Sequence, residues 1–212
     1  MKKLCLKVIL LFMSFALIYS LAQAEAKGSG NPCLSQSAVQ LKGDLRKLWT
    51  DHVIWTRNYI VSATEGLEDQ QKVLERLLKN LEDLGNAIKP YYGEQAGIKL
   101  TELLREHILI AGKIVDAAKS GDEASVKKFN TEWYKNADDI AQFLSSANPN
   151  WPKKALQKLL YMHLKLVADD LSARLNKDWD ADIKAFDEGF DHIIKMADTL
   201  TEGIIKQFPN KF

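Results

Sequence analysis

The chain holds four histidines, and their spacing is regular. His52, His107 and His163 end the segments KLWTDH, ELLREH and KLLYMH, 55 and then 56 residues apart. His192 falls in a second recurring segment, DHIIKMAD, in step with KNLEDLGN at 79–86 and KNADDIAQ at 135–142. Its counterparts there are Asn80 and Asn136, at intervals of 56 residues. Imidazoles converging from several helices suit one transition-metal ion: zinc, copper, iron or nickel. Asn80 and Asn136 would then orient the rings from outside, and Asp83 or Asp139 would serve as a carboxylate ligand or acceptor. The third repeat carries Lys195 at that position. The competing chemistry is a hydrogen-bonded polar layer that fixes register among similar helices, as a buried Asn does in coiled coils. Either way the groups need partners, because an unsatisfied buried polar group costs ~1–3 kcal/mol.

From about Ser37 onward apolar residues recur with a helical period, and no strand-like alternation is sustained. One frame fits three segments. The first helices carry Trp49-His52-Thr56-Tyr59, then Leu104-His107-Ala111-Ile114, then Leu160-His163-Val167-Asp170. The second carry Val73-Leu77-Asn80-Leu84, then Phe129-Trp133-Asn136-Ile140, then Ala185-Gly189-His192-Met196. Steps of four and three make one helical stripe with the polar residue inside it. The expected fold is all-α: a six-helix bundle of three antiparallel helical hairpins of about 55 residues, covering about 37–90, 95–147 and 152–208. Helices of about 22–26 residues are expected, with Asp122 and Asp178 as N-caps, Pro152 at a helix start and longer Pro/Gly connections at 89–93 and 148–152.

The frame makes a geometric prediction. The midpoints of His52/Asn80, His107/Asn136 and His163/His192 are residues 66, 121.5 and 177.5, each on the turn inside its own hairpin. Rise per residue is constant, so each pair should stand at one height on facing helices. All six then fall in one layer midway along the bundle. In the second and sixth helices, though, the stripes Leu74-Leu78-Leu81-Leu84-Ile88 and Phe186-Phe190-Ile193-Ala197-Leu200 are more apolar. These place Asn80 and His192 at the margin of the core, and leave His52, His107 and His163 as the central ligand candidates.

Other chemistries find little support. A ferritin-like di-iron site needs Glu three residues before His, and those positions hold Trp49, Leu104, Leu160 and Gly189. No P-loop, dinucleotide fingerprint or nucleophile elbow occurs. The Asp-x-Asp patterns at Asp178, Asp180 and Asp182 sit where capping already favours Asp. Trp49, Trp55, Trp133 and Tyr59 are expected in the core. The balance leans against an enzyme.

The N-terminus has the pattern of a bacterial secretory signal over residues 1–24: Lys2, Lys3 and Lys7, the apolar run Val8–Leu21, then Ala22-Gln23-Ala24. Cleavage leaves no stable membrane anchor and implies a secreted or periplasmic protein. Removing those three lysines leaves 26 basic residues against 28 acidic, a net charge of −2. That balance argues against nucleic acid as a partner. Residues 25–36 form a Gly/Ser/Pro linker. Cys33 is the one cysteine left after cleavage, so it is either a free thiol or half of an intermolecular disulfide.

Four longer strings carry a resemblance: LWTDHVIWTRNYI (48–60), NAIKPYYG (86–93), WYKNADDIAQFLSSANPNW (133–151) and MADTLTEGIIKQFP (196–209). On these the chain resembles a family of poorly characterised bacterial helical proteins, some labelled acetylglutamate kinase or glycosyltransferase. The resemblance implies the same helical fold over nearly the whole mature chain. The labels imply a transferase, but the glycine-rich nucleotide sites of the α/β folds that host such activities have no counterpart here.

Overall fold

The computed structural model describes residues 34–212. The signal segment, most of the linker and Cys33 lie outside the described residues. Ser35 opens the fold as an N-cap, its hydroxyl accepting from the Ala38 amide at 3.1 Å. Six α-helices follow: α1 Gln36–Glu65, α2 Gln70–Tyr92, α3 Glu94–Ser120, α4 Glu123–Ala147, α5 Lys153–Leu175 and α6 Trp179–Gln207. A short 3-10 turn, Pro209–Lys211, ends the chain. Among the described residues there is no strand, and no helix is long and apolar enough to cross a membrane.

Consecutive helices pack on one another, and α6 returns to pack on α1. Within this ring α1 also touches α3 and α5, so the helices bearing His52, His107 and His163 face the centre. Their stripes bury Trp49, Val53, Ile60, Leu104, Ile108, Leu160 and Leu164, with Leu77, Leu81, Ile140 and Ile193 closing over them. Burial at this scale contributes ~1.5–3 kcal/mol per large side chain.

The expected turns fall where the midpoints put them. Gly66, Gly121 and Lys177 have positive φ values of 69°, 73° and 58°. At Gly66 and Gly121 the left-handed conformation is where the chain reverses out of the preceding helix. Asp122 and Asp178 accept from the amides of Ser125 and Ala181 at 3.0 and 3.1 Å, as N-caps.

Two expectations need correction. α1, α3 and α6 run to 30, 27 and 29 residues, beyond the predicted length. The Pro90 segment is also not a loop: α2 continues through it to Tyr92, and Gly93 alone joins α2 to α3. Pro90 is tolerated because it sits in the last turn, where only the bond to the Asn86 carbonyl is lost. The junction is held by close packing. A Cβ on Gly85 would stand 2.6 Å from the Gly97 carbonyl, and one on Gly97 would stand 2.7 Å from the Gly85 carbonyl.

Candidate functional site

His52, His107 and His163 meet in the core, 2–5% exposed. Their rings belong to a chain of five, Trp49–His52–His163–His107–Trp133. Successive centroids lie 5.6, 5.8, 6.2 and 5.1 Å apart. Burial is the main influence on all three imidazoles. It pushes His52 down to about 3, helped by repulsion from His107 and opposed by Asn80. It pushes His107 down to about 4, opposed by the hydrogen bond to Asn136. It holds His163 well below the usual range, with the other three histidines adding repulsion. The three rings are therefore neutral at physiological pH.

The second-helix residues repeat one contact. Asn80 Nδ2 donates to the Leu48 carbonyl at 2.9 Å, Asn136 Nδ2 to that of Leu103 at 3.1 Å, and His192 Nε2 to that of Leu159 at 2.8 Å. Each acceptor stands four residues before the core histidine of the facing helix. The bond explains why Asn80 is fully buried rather than marginal. His192 is half-buried, as its weaker stripe suggested.

The asparagines differ in what else they hold. Asn136 Nδ2 also reaches Glu106 Oε2 at 3.3 Å, so Asn136 Oδ1 is left to accept from His107 Nδ1 at 2.9 Å. His107 is thereby the Nδ1–H tautomer, with a bare lone pair on Nε2. The counterpart is looser: His52 Nδ1 and Asn80 Oδ1 are both buried without a hydrogen-bond partner among the described residues. His163 makes no hydrogen bond among the described residues.

The carboxylates proposed for a metal stay at the surface. Asp83 is half-exposed beside Lys79 at 3.4 Å. Asp139 is exposed in a groove between α3 and α4 that also holds Glu102, Glu132 and Lys135. Among the described residues, no three His, Cys, Asp or Glu side chains are grouped as metal ligands.

A second polar cluster lies one to two turns from His163 and was not anticipated. Arg57 of α1 donates through one guanidinium nitrogen to both Asp170 of α5 and Asp182 of α6. Its other terminal nitrogen reaches Asp182 at 2.6 Å. Arg174 reaches Asp182 at 3.1 Å and Glu65 at 3.6 Å. Burial pushes the Asp170 carboxyl up to about 7, reinforced by a hydrogen bond with Asp182 and opposed by Arg57. At Asp182 burial is outweighed by Arg57, and the carboxyl is held below the usual range. One sequence signal pointed here: Asp170, seven residues after His163, occupies the buried stripe position that Tyr59 holds after His52 and Ile114 after His107.

Residues from three of the four strings noted above, 86–93, 133–151 and 196–209, meet in another polar contact. Tyr92 donates to Gln207 at 2.9 Å and accepts from Asn148 at 2.8 Å, while Trp151 Nε1 donates to the Thr199 carbonyl at 3.3 Å. Trp151 packs so closely on Gly203 that a Cβ there would lie 1.8 Å from its indole nitrogen. These residues act as a structural clasp. The chain matches no family model, no curated protein and no solved structure.

Proposed function

We propose that this chain is a secreted or periplasmic, non-catalytic binding module built from three repeated helical hairpins, in which the histidine layer is structural. One observation supports this most directly: Asn80, Asn136 and His192 spend their donors on the same carbonyl position of the facing helix. A bond repeated at three equivalent points fixes the height of each helix against its neighbour. Six similar helices need such a device, since apolar stripes alone tolerate a slip by a turn. The fourth histidine is in this reading a substitute for asparagine rather than a ligand.

A transition-metal site is the second reading, and the tautomer of His107 favours it. With Nδ1–H held by Asn136, the lone pair falls on Nε2, the arrangement in which an oriented imidazole serves a metal. Thermal melting with chelator and with added zinc, copper, iron or nickel separates the two. A structural layer predicts no stoichiometric metal in protein purified without a metal column, and melting unchanged by chelation. Metal that binds only the folded chain would raise the melting temperature and overturn the first reading. His107→Ala would then abolish that rise, whereas in a structural layer it lowers stability alone.

A further inference from the structure

The third repeat departs from the other two at three positions. Seven residues after the core histidine it has Asp170 where the others have Tyr59 and Ile114. On the facing helix it has Gly189 in place of Leu77 and Trp133, and Ala185 in place of Val73 and Phe129. Gly189 is not required by the backbone. It lies within α6, and a Cβ there would meet nothing among the described residues nearer than Leu166 Cβ at 3.9 Å. Glycine in a helix interior costs ~1 kcal/mol relative to alanine, so its presence calls for another reason.

The missing side chains leave a cavity of about 20 Å3 between α1, α5 and α6, room for one water-sized group. Half-exposed Phe186 and Gly189 form its mouth, and buried His163 and Asp170 lie at its floor beside Thr56 and Arg57. The donors and acceptors here are unevenly used. Arg57 already faces two carboxylates. The Thr56 hydroxyl is buried without a partner, and His163 makes no hydrogen bond among the described residues. His163 is neutral and cannot attract an anion by charge. The groups with capacity to spare are thus an imidazole nitrogen, a hydroxyl oxygen and a carboxylate. Charge points the same way, for among the described residues Asp170, Asp182 and Glu65 pair only with Arg57 and Arg174. With all five ionised the cluster is one cation short.

We propose that this cavity binds the ammonium head of a small primary amine, with Asp170, His163 and Thr56 accepting its three N–H bonds. An ammonium offers three donors and no acceptor, which matches that set. It also supplies the missing positive charge, a role the proton on Asp170 fills when the cavity is empty. Binding therefore displaces that proton, and affinity increases as Asp170 ionises in the field of Arg57, Arg174, Asp182 and Glu65. His163 stays neutral throughout that range. The inference rests on the binding-module reading and names its ligand class.

Isothermal titration of the full chain with methylammonium at pH 8, against equal potassium chloride, tests it. The expected result is saturable binding. It should weaken at least about ten-fold in Asp170→Asn, the equivalent of one lost charge-assisted hydrogen bond, and disappear in Gly189→Leu, where the cavity is filled. Near pH 6.5, titration in two buffers of different ionisation enthalpy should show proton release in the parent chain and none in Asp170→Asn. No saturable binding by the folded parent chain would overturn the proposal, leaving a bound water as the occupant. So would undiminished binding in Gly189→Leu, or equal binding of acetate. Both variants leave the Asn136–His107 and Asn80–Leu48 bonds in place, so failure here leaves the structural-layer reading standing. Circular dichroism confirms that each variant is folded, and Gly189→Ala is the milder filling should the leucine not be accommodated.

Discussion

His107 donates from Nδ1 to Asn136 at 2.9 Å, while the equivalent pair, His52 and Asn80, makes no hydrogen bond. The asymmetry follows from Glu106, which shares the Asn136 amide nitrogen and fixes the amide plane. Asn136→Ala removes three contacts and strands the ring N–H of His107. We expect a loss of ~2–3 kcal/mol, or a melting temperature lower by roughly 2–4 °C per kcal/mol in a chain of this size. Asn80→Ala removes only the bond to Leu48 and should cost clearly less. Equal losses in thermal melts would contradict the hydrogen-bond assignment.

His192→Asn tests whether the fourth histidine is a stand-in for asparagine. Among the described residues its one hydrogen bond runs from Nε2 to the Leu159 carbonyl at 2.8 Å, the position served by Asn Nδ2 in the other two pairs. The substitution should change unfolding free energy by less than about 1 kcal/mol, the worth of one hydrogen bond, whereas His192→Leu should exceed that. A large loss in the asparagine variant would show that His192 does something asparagine cannot.

Much of this was legible in the sequence, for a definite reason. Helical stripes leave a periodic trace, and a polar residue recurring inside them predicts both its burial and its height. His52, His107 and His163 emerged that way, as did the turns at Gly66, Gly121 and Lys177. Pro90 misled because proline marks a loop more often than a last helical turn. Asp83 and Asp139 follow the asparagines by three residues, a step that carried them round the helix to its surface. The Arg57 cluster was missed because its partners lie 113 and 125 residues away in sequence. A charge pair at that separation leaves no periodicity. The visible signal was Asp170 at the stripe position where the first and third helices carry Tyr59 and Ile114.

The glycines divide into two groups with opposite predictions. Gly85→Ala and Gly97→Ala would each set a Cβ under 3 Å from the other's backbone carbonyl, at 2.6 and 2.7 Å. Backbone cannot swing aside as a side chain can, so α2 and α3 must separate, and a loss of ~1–3 kcal/mol or more is expected. A Cβ on Gly43, inside α1, would meet nothing within 4 Å among the described residues. There alanine should stabilise by about 0.5–1 kcal/mol, through helix propensity and a less flexible unfolded chain. Urea denaturation of the three variants checks both signs.

The neutral histidine layer sets how stability responds to acid. The folded-state values, about 3 for His52 and about 4 for His107, lie below the ordinary 6.5. His163 is displaced in the same direction. Below pH 6.5 the unfolded chain therefore takes up protons that the folded chain refuses. The contribution of these groups is fully present above that pH and is lost as pH falls toward 4, on the order of 3 kcal/mol each for His52 and His107, with His163 adding in the same direction. Asp170 acts with the opposite sign. Its folded value, raised to about 7, favours folding below the ordinary carboxylate range and loses that contribution as pH rises through 7. Three histidines outweigh one carboxyl, so urea midpoints should fall steeply from pH 6.5 to pH 4. The fall should be shallower in His107→Asn, and steeper still in Asp170→Asn, which removes the opposing carboxyl. Trp49 and Trp133 lie 5.6 and 5.1 Å from His52 and His107 and report the transition by fluorescence. A midpoint that stays flat down to pH 4 would show that the rings are not buried in neutral form.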